Sequence, residues 1–114
     1  MNPTPPAVLL RGTLDRLIRA FAPERIVLFG SYAKGTARPG SDVDLLVVAE
    51  IEGDPIAHSR RAHQLVASSF PPVDIVLCTP EDVSEAASAK SPFLFSVLGS
   101  GITVYSRAKE ARHC

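Results

Sequence analysis

Two aspartates interrupt an apolar run near the middle of the chain. The segment DVDLLVV, residues 42–48, opens with Asp42 and Asp44 and continues with leucine and valine. The run predicts a β-strand, on which residues two apart project from one face about 6–7 Å from each other. Carboxylates this close in a partly desolvated sheet repel each other unless a cation lies between them. The spacing therefore suits Mg²⁺, and it can bracket two ions about 3.5–4 Å apart, as in phosphoryl-type transfer.

A glycine-containing turn precedes the acidic pair. The stretch RIVLF predicts a strand that ends at Gly30, and Ser31, Lys34 and Gly35 follow in GSYAKG. Glycine lets the backbone approach a ligand closely, and a short helix that begins here aims amides at an anion. The Ser31 hydroxyl and the Lys34 cation complete a cradle that suits a triphosphate. A Gly-Ser turn or a D-x-D pair alone is usually an ordinary turn or a solvated edge, so the prediction depends on the order of the motifs.

A third acid, Asp74, stands early in a later apolar stretch, VDIVLC. If this predicted strand neighbours the one that carries Asp42 and Asp44, the Asp74 carboxylate completes the metal site. From there it can orient or deprotonate an attacking hydroxyl. The sequence does not specify the order of the strands, so this adjacency is an expectation. The full set of motifs predicts a nucleotide and metal site.

The elements that must position these residues follow a simple order. Apolar spacing, caps and prolines predict a helix over Leu10–Phe21, a helix over residues 55–70, helix starts at Pro80 and Pro92, and, after GSG, a closing strand in ITVY. The order of helix, strand, short helix, strand, helix, strand, helices and strand indicates an α/β fold, a compact sheet with helices packed on it.

Size and composition narrow the class of protein. The 114 residues predict one domain, 1–114, with a disordered leader at 1–6 and a frayed tail at 107–114. Twelve basic and 12 acidic residues balance, which disfavours bulk binding to nucleic acid or to an anionic membrane. No apolar run has the length of a membrane span or a signal-peptide core, so we expect a cytoplasmic protein. Two cysteines, Cys78 and Cys114, argue against a disulfide framework.

The order GSYAKG, SDVDLLVV and VDIV resembles the nucleotidyltransferase superfamily that includes DNA polymerase β. The resemblance is close over residues 24–78 and looser beyond them. By its length the chain looks most like the minimal nucleotidyltransferases (MNT), which are often encoded beside a helical HEPN partner as toxin–antitoxin pairs. The resemblance implies a nucleotidyltransferase fold, that is, a small mixed β-sheet flanked by helices.

The resemblance also implies roles for individual residues. Gly30 and Ser31 would hold the triphosphate, Asp42 and Asp44 two Mg²⁺ ions, and Asp74 the attacking hydroxyl. The implied reaction moves a nucleoside monophosphate, AMP if the donor is ATP, onto a hydroxyl with loss of pyrophosphate. In the pair that the family suggests, the acceptor is a tyrosine of a HEPN toxin, and this AMPylation silences the toxin, which makes the chain an antitoxin.

One position departs from the family pattern. Lys34 stands where the family often has arginine. Lysine keeps the positive charge but lacks the planar guanidinium fork, so we expect a weaker grip on phosphate.

Other functions stay open. A non-catalytic antitoxin would neutralise its partner by binding alone, and substitution of Asp42 or Asp44 would then leave neutralisation intact. A transferase could instead act on a small molecule or on an RNA end. The superfamily members that act on small molecules generally carry a further helical domain, which would not fit within 114 residues. The balanced charge disfavours RNA as the acceptor.

Two further groups of residues have ordinary interpretations. His58 and His63 are five residues apart, a spacing that places them on different faces of a helix, and we interpret them as surface histidines. The apolar cluster at residues 93–98 fits either core packing or a face that binds a partner.

Overall fold

The computed structural model of the chain describes residues 11–38, 41–69, 72–86 and 92–107. The helices and strands within these ranges are α1 Arg11–Phe21, β1 Arg25–Phe29, α2 Ser31–Lys34, β2 Val43–Val48, α3 Pro55–Leu65, β3 Val73–Cys78, α4 Pro80–Ala86, α5 Pro92–Ser100 and β4 Ile102–Ser106. The predicted order of elements is confirmed. The expected leader and the tail from residue 108 onward lie outside the described residues, as does Cys114.

The four strands form one mixed sheet in the order β3-β2-β1-β4. Strand β1 pairs antiparallel with both β2 and β4, whereas β2 and β3 run parallel. Because β2 is an inner strand between layers of side chains, every residue from Leu45 to Val48 is buried. A mixed sheet flanked by helices confirms the predicted fold class.

Each face of the sheet has its own apolar cluster, because successive strand residues point to opposite faces. On one face, Leu14 and Leu17 of α1 and Ala62 of α3 pack against the sheet. On the other face, Leu94 and Val97 of α5 pack against Val27, Leu46, Val48 and Cys78. Cys78 is a free, buried thiol, and burial followed by the nearby Asp82 charge raises its pKa to about 11.

Side-chain caps begin two of the helices. The Asp54 carboxylate accepts a hydrogen bond from the Ile56 amide at 3.0 Å, ahead of Pro55 at the first position of α3. At the start of α4, the Thr79 hydroxyl accepts from the Asp82 amide at 3.1 Å, and the Asp82 carboxylate accepts from the Thr79 amide at 3.0 Å. This reciprocal pair satisfies two N–H groups that the helix itself leaves without acceptors.

Three predicted boundaries are wrong. Strand β2 begins at Val43, so Asp42 lies just before the strand and not within it. Helix α3 ends at Leu65, and turns follow it. Helix α5 continues through Gly99 and Ser100, although the GSG sequence predicts that the helix ends before them. The Ser100 hydroxyl and the Gly101 amide both donate to carbonyls of the preceding turn, which extends the helix. Only Gly101 then separates α5 from β4.

At the other end of β4, Arg107 is attached to the body of the protein. Its amide donates to the Glu24 carbonyl at 2.9 Å, and its guanidinium donates to the Ala22 carbonyl at 3.1 Å. Among the described residues, no helix is long and apolar enough to cross a membrane.

Candidate functional site

Asp44 and Gly30 are in direct contact. The antiparallel register pairs Phe29, the last residue of β1, with Asp44, so the next residue, Gly30, lies beside the carboxylate. Gly30 has φ 75° and ψ −153°, a conformation that residues with a side chain rarely adopt. A Cβ atom at this position would overlap Oδ2 of Asp44. The missing side chain therefore lets the carboxylate lie against bare backbone.

The turn after Gly30 is the single-turn helix α2. Its first N–H groups, at Ser31 and the residue after it, have no acceptor within the helix. The turn ends at Gly35, whose left-handed backbone, with φ 75° and ψ 17°, lets its amide donate to the Ser31 carbonyl. Lys34 is exposed and has no ion-pair partner in the described part of the chain. The structure thus places Gly30 and Ser31 beside Asp44, and Lys34 and Gly35 one turn farther along.

Asp74 lies level with Asp44 on the neighbouring strand. Strands β2 and β3 are parallel, and their register pairs Asp44 with Asp74. Partial burial, and after it the negative charges of Asp74 and Asp42, raise the pKa of Asp44 above its ordinary value. The three acids therefore lie at one end of the sheet, where β1 ends and where β2 and β3 begin.

The three carboxylates are not yet gathered around one point. Within residues 11–38, 41–69, 72–86 and 92–107, no three His, Cys, Asp or Glu side chains are close enough together to hold a metal ion. Two causes are visible. Like charges favour separation, and the Asp74 carboxylate is bonded to His63, with 3.2 Å between Oδ1 and Nε2. Binding of one cation by all three acids therefore requires their side chains to move closer together.

The donor set nevertheless suits Mg²⁺. Magnesium is a hard cation that takes one or two carboxylates, water and phosphate oxygens as ligands, so it does not need a complete cage of protein atoms. Asp44 and its neighbours Asp42 and Asp74 supply such oxygens, and a divalent cation would offset both the burial and the like charges that raise the pKa of Asp44.

His63 also belongs to this site, although its position in the sequence does not predict this. It is exposed, as expected for a surface histidine, but its ring links α3 to β3. Nδ1–H donates to the Ser59 carbonyl at 2.9 Å, and the contact of Nε2 with Asp74 then needs a second ring proton. The bond to Ser59, followed by the bond to Asp74, raises the pKa of His63, although partial burial opposes this. The packing of α3 on β3 creates the pair, and no spacing in the sequence indicates it.

An open cavity of about 440 Å³ lies at the other end of β3. Its walls include Ile51, Ile56, Cys78 and Thr79. The acids lie where β3 begins, whereas Cys78 ends the strand. The cavity extends along β3 as far as Ile75, the residue after Asp74, but none of Asp42, Asp44 and Asp74 lines it, and we assign it no part in the chemistry.

Comparison with known proteins agrees with these motifs. The sequence matches the family described as Nucleotidyltransferase domain over residues 10–96. No protein of curated function matches the sequence.

Several solved structures are similar in fold. One is described as a nucleotidyltransferase from Sulfolobus solfataricus, with TM-score 0.62 and 19% identity over 90% of this chain and 82% of that one. At this identity the likeness shows the fold alone. A toxin–antitoxin structure with AMP-PNP has TM-score 0.56 and 27% identity, over 86% of this chain and 74% of that one. A mutant form of a toxin–antitoxin pair that contains MntA has TM-score 0.56 and 26% identity, over 88% and 75% of the two chains.

Proposed function

Because the chain belongs to the nucleotidyltransferase domain family, we propose that it transfers AMP from ATP to a hydroxyl group, with Mg²⁺ as cofactor and release of pyrophosphate. The observation on which the proposal rests is the position of Asp44. It contacts the Gly30 turn on one side and lies level with Asp74 on the other. A donor bound at the turn and an acceptor bound near Asp74 would meet over the acids.

The residues of the turn bind the donor. The backbone at Gly30 and the first amides of α2 contact the triphosphate, the Ser31 hydroxyl donates to a phosphate oxygen, and Lys34 adds positive charge. Gly35 ends this turn and keeps α2 to a single turn. As in the sequence prediction, we expect Lys34 to hold phosphate less firmly than arginine would.

The acids bind the cofactor and prepare the acceptor. Asp42, Asp44 and Asp74 would hold Mg²⁺, which stabilises negative charge on the phosphoryl oxygens and on the leaving group when it is bound. Asp74 orients the acceptor hydroxyl and accepts its proton. The acceptor oxygen forms a bond to the α-phosphorus, and the bond from that phosphorus to pyrophosphate breaks.

We propose that the acceptor is a tyrosine of a HEPN-type toxin and that AMPylation silences this toxin, so that the chain is an antitoxin. Similarity to two toxin–antitoxin structures supports the context, and the AMP-PNP in one of them supports ATP as donor. The proposal includes the cytoplasmic location expected from the sequence.

Transfer of label from ATP tests the proposed chemistry. The chain, Mg²⁺ and a HEPN-type protein encoded beside it would be incubated with ATP labelled at the α-phosphate or, in parallel, at the γ-phosphate. We expect the partner to gain α-label but no γ-label, and to gain neither when the chain carries Asp42→Ala and Asp44→Ala.

The same experiment can contradict the proposal. A partner that is neutralised without label, in the presence of folded protein and Mg²⁺, would indicate an antitoxin that acts by binding alone. Label that appears on RNA or on a small molecule, and not on the partner, would show that the acceptor is wrong while the reaction is right.

A further inference from the structure

Phe93 places an exposed aromatic ring next to the candidate site. It lies in the first turn of α5, and half of its surface, 50%, is exposed. Its ring meets the ring of Phe29 edge to face, with 5.7 Å between centroids and 84° between planes. Phe29 is the residue paired with Asp44 and the one directly before Gly30. A continuous path of contacts therefore joins Phe93 to the Gly30 turn.

The ring and the Asp44 carboxylate lie on the same face of the sheet. Residues directly opposite each other in an antiparallel pair project to the same side. Phe29 packs against the cluster formed with α5, so its partner Asp44 projects to the side of α5 as well. Phe93 also comes from α5. The exposed ring and the Asp44 carboxylate therefore lie on the same face of the sheet, with Phe29 in contact with the ring and paired with Asp44.

The strand that Phe93 contacts favours the donor, rather than the acceptor, as the ligand of this ring. Phe93 contacts β1, the strand that leads into the Gly30 turn. Asp74, which we assign to the acceptor, lies on β3, and β2 separates the two strands. A group bound over Phe93 would therefore be part of the donor molecule that binds at the Gly30 turn.

We propose that Phe93 is a stacking platform for the base of the donor nucleotide, an inference that rests on the proposed function. Aromatic side chains bind nucleobases through stacking, which tolerates any base and strengthens with ring area. A purine donor such as ATP gains most from such a platform. Phe95, on the same helix and 61% exposed, projects about 200° away around the axis and should have no such role.

Binding constants for two ligands test the platform. The dissociation constants of Mg²⁺–ATP and of Mg²⁺–tripolyphosphate would be measured by calorimetry for the wild type, Phe93→Leu and Phe95→Leu. Leucine keeps apolar contact with Phe29 but removes the ring. We expect Phe93→Leu to weaken ATP binding about 5- to 150-fold, the range typical of lost base stacking. Tripolyphosphate has no base, so its binding should stay within twofold, and Phe95→Leu should change neither constant.

Tryptophan fluorescence gives a second reading that does not depend on loss of function. The chain contains no tryptophan. Phe93→Trp would introduce a single reporter, whose emission ATP should quench and tripolyphosphate should not. Phe95→Trp serves as the matched control and should respond to neither ligand.

The outcomes separate this inference from the proposed function. If Phe93→Leu weakens the binding of ATP and of tripolyphosphate equally, or weakens the binding of neither, the proposed stacking role is wrong even when label transfer succeeds. A Phe93 variant that alters only the KM for the acceptor would also overturn it. If the wild type binds ATP through Phe93 but transfers no label, the platform stands and the proposed function fails. A wild type that binds no nucleotide overturns both.

Discussion

Asp44 connects the parts of the candidate site. Its carboxylate lies against the bare backbone of Gly30, and its Cα is paired with that of Asp74 on the next strand. Burial and two like charges raise the pKa of Asp44, so the metal-free protein holds a carboxylate in an unfavourable position. The presence of a residue that lowers the stability of the folded protein is explained most simply by a ligand whose binding compensates the loss.

Replacing Asp44 with asparagine should stabilise the metal-free protein. An acid whose pKa is raised by folding destabilises the folded state, and the penalty grows as the pH rises through that pKa. Removing it should recover roughly 0.5 kcal/mol, or about 2–4 °C in Tm, in thermal unfolding with EDTA.

Addition of Mg²⁺ and ATP should reverse this order of stability. Ligands that bind only the folded state raise the Tm of the wild type, but they should not raise that of Asp44→Asn. Asp15→Asn, which changes an exposed acid of α1, is the control and should behave as the wild type. A lower Tm for Asp44→Asn in EDTA would contradict the account of this carboxylate.

The contact between His63 and Asp74 predicts a dependence of stability on pH. The bond to Ser59, and then Asp74, raise the pKa of His63 above its ordinary 6.5. For a base, such a shift gives stability that is present below the unfolded pKa and is lost as the pH rises through the folded pKa. The free energy of unfolding in EDTA should therefore fall between about pH 6 and pH 8.

Variants of both partners isolate this effect. Chemical unfolding at the two pH values should show a smaller fall for His63→Gln and for Asp74→Asn than for the wild type. Because both side chains are largely exposed, the difference should be small. An equal fall in all three proteins would show that the contact does not affect the titration of His63.

Gly30 and Gly35 have the same φ, but substitution by alanine should lower stability and activity by different amounts at the two positions. Gly30→Ala places a methyl group against Asp44 and strains the backbone, whereas nothing lies within 4 Å of a Cβ at Gly35. We expect Gly30→Ala to cost about 1–3 kcal/mol and to abolish label transfer. Gly35→Ala should cost about 1 kcal/mol and retain most transfer. Equal transfer by the two variants would remove the argument for close contact at Gly30.

The strands, rather than the loops, bring the site together. Three of them supply its residues at a single end of the sheet: β1 ends at the glycine turn, and β2 and β3 begin beside the acids. The opposite end holds the cap of α4, where Thr79 and Asp82 bond reciprocally. The cap of α4 therefore lies away from the residues assigned to the chemistry.

Loss of the α4 cap should lower stability without lowering transfer. Thr79→Ala removes one hydrogen bond to an amide at the helix start and should cost about 0.5–2 kcal/mol in chemical unfolding. Ser84→Ala, an exposed change on the same helix, is the control and should have little effect. If Thr79→Ala reduced label transfer at a temperature where the protein is folded, the separation of the two ends would be wrong.

Local signals in the sequence predict the helices and strands but not which of them lie side by side in the fold. Apolar runs and caps indicate all four strands and the start of α4, because burial and capping act over a few residues. The pairing of Asp44 with Asp74 depends on strand order, and the contact of His63 with Asp74 depends on the packing of α3. Such contacts join distant parts of the chain, so no local spacing records them.

The molecule as a whole is a small nucleotidyltransferase fold without net charge, with its acids and its glycine turn at one end of the sheet. Its 12 basic and 12 acidic residues leave no net charge to attract RNA, and the glycine turn and the acids account for a donor and a cofactor. The acceptor must come from elsewhere, and a toxin partner would supply it. We therefore expect neutralisation of the partner to be a covalent modification.

The mass of the intact partner tests this claim most directly. The HEPN-type protein would be produced together with the wild-type chain or with Asp44→Asn, purified, and weighed by mass spectrometry. We expect a mass increase equal to one or more AMP groups with the wild type, and an unmodified, active toxin with the variant. A partner that is neutralised at its unmodified mass, with both forms of the chain, would contradict the account.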